Sequence, residues 1–326
     1  MIPSVQLHVH LEGLLPAALL RDFCRQGRED LSGLFLSHGP GGYAPARGRD
    51  LRARLDAAMG LVRTPEQTLR LMGAGLDLLT SDGTAHAEIL VQPAQLGHGD
   101  AGAFRDHLLA LNEAIAPFEA AGGTSITLIA AIPRHLGPEA GRRAALAAAE
   151  NAGDRLRGLA LIGDERIGAH ADHGWAFDCG REAGLVALVE AGLHDGPASV
   201  RGALQALRPA RILGGLQAAQ DPGLLEELAE CGIGVDLAPG TDIAAGLVAD
   251  WPAHPLPQFE KRGVTISLSV PFPCWSPCGI LQEYAMLNRY FDWDEGQIVQ
   301  VNRQALDVAL RAADIREPVT RKLESV

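Results

Sequence analysis

"VQLHVHLEG", residues 5–13, decides how the rest of the chain is read. Apolar residues alternate there with His8 and His10, and in an extended strand alternate side chains share one face. Both imidazoles therefore point the same way, as a barrel strand would present two nitrogen ligands to a metal. Seven further apolar runs follow along the chain: "AHAEILVQP" (85–93), "SITLIAAIP" (125–133), "RGLALIG" (157–163), "LVALVEAG" (185–192), "ARILGG" (210–215), "GIGVDLAP" (232–239) and "GVTISLSVP" (263–271). The first run spans 4–11.

Ala- and Leu-rich helical segments separate these runs. One of them, "PGLLEELAECG", opens on Pro222 and closes on Gly232, which are good helix boundary signals. Eight strands alternating with helices predict an α/β chain folded as a single (β/α)8 TIM barrel over 1–326. Their near-continuous apolarity fits parallel strands covered on both faces. The interval 12–84 is too long for one crossover. It predicts a helical insertion after strand one, including the Gly/Pro-rich stretch 37–50, that caps the barrel mouth.

The chain has 326 residues, 47% of them hydrophobic, and a net charge of −12. This balance argues against nucleic acid or an anionic membrane as a partner and leaves a small-molecule substrate. Oligomeric state is not readable. No charged leader and no apolar run of spanning length are visible, and the cysteines (24, 179, 231, 274, 278) are scattered and odd in number. These features predict a reducing, cytoplasmic setting.

The order of several motifs resembles the adenosine deaminase family of zinc amidohydrolases. "QLHVHLEG" is similar to that family's amino-terminal histidine motif, "AEILVQP" (87–93) to a strand motif, and Arg134-His135 to the pair after strand three. "GLALIGDE" (158–165), "VDLAPGTD" (235–242) and "ILQEY" (280–284) follow in register. The resemblance implies zinc held by the histidine pair, a third histidine and an aspartate. It also implies a glutamate that protonates the ring and a histidine that activates water.

Carried over residue by residue, only part of that set is present. His8 and His10 match the pair. "EAGLHDGPASV" (190–200) puts Glu190 at the third ligand and Leu193 at the acid, whereas a gapped alternative would place His194 on the metal. "RILGG" puts Gly214 at the water-activating histidine. "SLSVPFP" puts Pro271 at the metal aspartate and Phe272 beside it. Loss of one acid–base group typically costs about 10²–10⁴ in rate. The expectation is therefore a divergent member that is no competent zinc adenosine deaminase, acting without metal on a small heterocyclic or amine-bearing metabolite. Hydrolysis, elimination or rearrangement in specialised biosynthesis is expected, with Glu190, His8 and His10 as proton carriers. No cofactor is expected; if zinc binds at all, His8, His10 and Glu190 hold it. The rival expectations are a ligand-binding pseudoenzyme and a deaminase with a weakened His/His/Glu centre. Glu12, His170, His173, His194, Phe272 and Trp275 are the expected substrate-binding residues. Asp164 and Glu165 are expected to shape the loop after strand four, and Cys274 and Cys278 to pack structurally.

Overall fold

The computed structural model describes residues 2–28, 43 and 48–324. Eight parallel strands run in the order β1 (Ser4–His10), β2 (Thr84–Val91), β3 (Ser125–Pro133), β4 (Leu156–Ile162), β5 (Val186–Ala191), β6 (Arg211–Gly214), β7 (Gly234–Leu237) and β8 (Ile266–Leu268). After β8 the chain returns to β1, where His10 N–H donates to Pro271 O at 2.9 Å. The sheet is thus a nearly closed (β/α)8 barrel with helices outside it. The strands are short at β6 to β8. Gly214 and Gly215 there adopt positive φ and turn the chain out of the sheet.

Helix starts follow local chemistry. Thr64 caps a helix with Pro65 at its first turn and completes a capping box with Gln67. Asp221 accepts the Gly223 and Leu224 amides ahead of Pro222–Glu230. Inside the barrel, Leu90, Ile129, Ala131, Ala160, Ile162, Leu188 and Leu213 form an apolar layer. The outer faces of the strands pack against the helices in a separate, larger cluster.

The barrel interior also holds a buried charge cluster, whose Asp236 reaches the cavity described below. Arg211 donates through Nη2 to Glu88 Oε2 at 2.7 Å and through Nε to Asp236 Oδ2 at 3.0 Å. It also donates to the Leu7 and Val308 carbonyls at 3.0 and 2.9 Å. One guanidinium therefore ties β6 to β1, β2, β7 and the carboxy-terminal helices.

The insertion after β1 contains three helices among the described residues: α1 (Ala17–Gly27), α2 (Gly48–Met59) and α3 (Pro65–Ser81). Most of the 37–50 stretch lies outside the described residues. No helix among the described residues is long and apolar enough to cross a membrane.

Candidate active site

Parallel β/α barrels carry their reactive groups at the carboxyl ends of the strands. At that end lies a cavity of about 570 Å³, lined by His8, Glu190 and Asp236 from the strands and by Arg52 and Asp56 from α2. The period of β1 turns His8 and His10 to the barrel interior, where their Nε2 atoms are 3.2 Å apart. Glu190, near the end of β5, completes a group whose three donor atoms all lie within 4.8 Å of one another. Glu190 also accepts the Gly163 amide, and its own backbone carbonyl accepts Arg134 Nη2 at 3.3 Å.

The shell around this trio is specific. Glu12 Oε1 faces His10 Nδ1 at 3.2 Å, accepts Arg52 Nη1 at 3.0 Å and accepts Gln92 Nε2 at 2.9 Å. Burial pushes the Glu12 carboxyl up, but His10 and Arg52 outweigh it and hold the group at about 2. The carboxylate therefore draws the His10 proton onto Nδ1 and leaves Nε2 with its lone pair toward His8 and Glu190. Burial, followed by the neighbouring His10 and Arg211, pushes the His8 pKa well below 6.5, so this imidazole is neutral. Phe272 packs on His10 with ring centroids 4.6 Å apart, and Arg52 lies 5.8 Å over the Phe272 ring. That approach requires Gly13, where an added Cβ would meet Phe272 Cα at 2.5 Å.

Leu193 and Gly214 are explained together. A Cβ built on Gly214 would meet Leu193 Cδ2 at 2.6 Å, so the leucine fills the space a side chain at 214 would need. Leu193 and Gly214, the positions at which the resemblance would expect proton-handling groups, form one apolar contact.

The expected substrate residues divide. His194 and Phe272 line the cavity. Glu12, His170, His173 and Trp275 are not among its lining residues. Glu12 is turned beneath the wall toward His10. His173 is buried against Gly141, and Trp275 stacks on Tyr43 at 3.8 Å. His170 Nδ1 accepts Arg134 Nη2 at 2.8 Å, so the histidine supports the arginine that grips β5. His194 gives its backbone amide to Glu165, and the histidine pair is joined by Glu190 rather than by His194. Glu165 also accepts the Asp195 amide and Ser199 Oγ, which fixes the start of the next helix. Burial pushes the Cys274 and Cys278 thiols up to about 12, which keeps them protonated at neutral pH.

Burial and the adjacent Arg134 lower the His170 pKa to about 4, because a proton there would set two cations in contact. The unfolded chain takes that proton near 6.5, so stability falls as pH drops from about 6.5 toward 4. Urea midpoints for His170→Asn are expected to fall less than those of the wild type across that window. Parallel curves would remove His170 from this role.

Sequence reasoning passed over Arg52, Asp56 and the pair Thr241–Asp242, all of which line the cavity. Thr241 and Asp242 lie four and five residues beyond the end of β7, so the rule that sites sit at strand carboxyl ends was signal enough. Arg52 and Asp56 carry no such mark, since an i,i+4 charge pair reads as a solvated helix face.

A profile of the family described as "Adenosine deaminase" matches residues 3–326. An adenine deaminase of Rhizobium leguminosarum bv. trifolii is 31% identical over 326 residues, covering 99% of each chain. Among solved structures, adenine deaminase from Arthrobacter aurescens superposes with a TM-score of 0.85 at 19% identity, covering 99% of this chain and 100% of that one. An amidohydrolase from Burkholderia ambifaria, crystallised with bound zinc, gives 0.84 at 18%, covering 99% and 91%.

These findings correct three expectations. Metal-independent chemistry, a cofactor-free site and a place in specialised biosynthesis are overturned by relatives described as adenine deaminases and by a zinc-bound amidohydrolase of the same fold. His8, His10 and Glu190 converge as a metal site would require.

Proposed function

Because the chain belongs to the adenosine deaminase family, we propose that it is a metal-dependent hydrolase that removes the exocyclic amino group from a small 6-aminopurine. The observation that carries this reading is the convergence of His8, His10 and Glu190 at the wall of a cavity large enough for a purine.

Two histidines and one carboxylate are a donor set of catalytic zinc sites that leave a position open. The residues fit the metal in their protonation as well as their placement. Glu12 fixes the His10 tautomer, and burial keeps His8 neutral. A zinc ion held there would supply Lewis-acid activation of water at neutral pH. The chain itself does the rest. Phe272 and Leu193 exclude bulk water from the reacting face, and Arg52 holds the Glu12 carboxylate in place. The Asp56 carboxylate, 3.8 Å from His135 Nε2 on the cavity lining, can exchange a proton with the departing amine.

The centre diverges from what the family resemblance implies. It uses three protein donors, with Glu190 in place of a histidine and Pro271 in place of the aspartate. Glu12→Gln, which weakens the hold on His10, is expected to lower zinc affinity by about 10–100-fold in competition with a chelator. Unchanged affinity would show that Glu12 serves packing alone. The reading itself is tested by ammonia release from adenine. Zinc-loaded protein should release ammonia, and chelator-stripped protein should not. Loaded protein that leaves adenine intact would overturn it.

A further inference from the structure

Thr241 and Asp242, consecutive residues of the helix Pro239–Ala245 that follows β7, line the same cavity as His8 and Glu190. The Thr241 Oγ1 atom is buried and has no hydrogen-bond partner among the described residues. Such a hydroxyl costs roughly 1–3 kcal/mol unless something answers it. Asp242 is 4% exposed yet lines the same cavity. Its orientation is fixed from behind. His254 Nδ1 accepts the Leu256 amide at 3.1 Å, which places the imidazole proton on Nε2, and Nε2 donates to Asp242 Oδ2 at 3.3 Å. A carboxylate offers about four lone-pair sites. Accepting from His254 therefore leaves capacity for a donor in the cavity.

The charge of the lining favours an uncharged occupant. Asp56, Asp164, Glu190 and Asp242 line the cavity against two guanidiniums, Arg52 and Arg166, while the lining Asp236 is paired with Arg211. Both guanidiniums are engaged by carboxylates, Arg52 with Glu12 and Arg166 with Asp164. A phosphate would find both of these lining guanidiniums already paired.

We propose that Thr241 and Asp242 are the specificity-determining pair of this site and read the N3/N9–H edge of an unsubstituted purine base. The Thr241 hydroxyl donates to N3, and the Asp242 carboxylate accepts N9–H. A donor and an acceptor on the same cavity wall answer an acceptor and a donor on the base. A substituent on N9 removes the donor and leaves the buried carboxylate unanswered, a loss that polar sites discriminate against strongly. The inference rests on the deaminase reading for its substrate class and adds that the free base, not a nucleoside or nucleotide, is the form taken.

The test compares adenine, 9-methyladenine and adenosine 5′-monophosphate on the zinc-loaded full chain, by turnover and by equilibrium binding. Wild-type protein should bind adenine at least tenfold more tightly than either 9-substituted compound. Thr241→Val, which keeps shape and removes the hydroxyl, should raise KM for adenine about tenfold with little change in kcat. Asp242→Asn should erase most of the preference for adenine over 9-methyladenine. If adenine binds with this preference but is not deaminated, the deaminase reading fails and the pair stands. Equal binding of adenine and 9-methyladenine overturns the proposal. So does a Thr241→Val variant that gains thermal stability with KM unchanged, the result expected of a merely structural hydroxyl.

Discussion

His10→Ala is expected to lower ammonia release from adenine by at least about a hundredfold and to leave the protein folded. His8→Ala and Glu190→Gln should do the same. Each variant removes one of three donors that lie within 4.8 Å of one another, and two donors hold a catalytic zinc poorly. His10 matters most, because its Nδ1 side is held by a carboxylate that His10 itself and Arg52 keep ionised against the cost of burial. The measurement is steady-state turnover at saturating zinc, with circular dichroism to confirm the fold. Full activity in any of the three variants would separate the chemistry from this trio.

The second large effect is on stability. Arg211→Met is expected to destabilise the fold by about 3–5 kcal/mol, because it leaves Glu88 and Asp236 buried and unpaired in the barrel. Denaturant unfolding should show it as a lower midpoint. The combination Arg211→Met with Glu88→Gln should recover part of the loss, since it removes one of the stranded charges. A single variant with an unchanged midpoint would mean that the cluster contributes nothing to the fold.

Much of this architecture was legible in the chain. The β-branched, apolar strands and the capped helices between them specify a parallel barrel, and the period of "VQLHVHLEG" turns His8 and His10 inward as β1 shows. Glu190, which the ungapped register sets beside them, has its carboxylate within 4.8 Å of both imidazole donors. Other features were not legible, because they depend on contacts between distant segments. Glu12 reads as a wall residue until Arg52 and Gln92, 40 and 80 positions away, are seen to pull it under His10. His170 and His173 read as pocket residues because they follow a strand, yet Arg134 and Gly141 take them into the scaffold. Absent ligands are conspicuous in a sequence, whereas a sufficient remaining set shows only once the strands are brought together. This is why the sequence argued against a metal that the relatives and the geometry support.

Zinc titration of chelator-stripped protein tests the central claim most directly. Wild-type protein is expected to take up about one zinc per chain and to lose that uptake in His8→Ala, His10→Ala and Glu190→Gln. Wild-type protein that binds no more zinc than these variants would contradict the account.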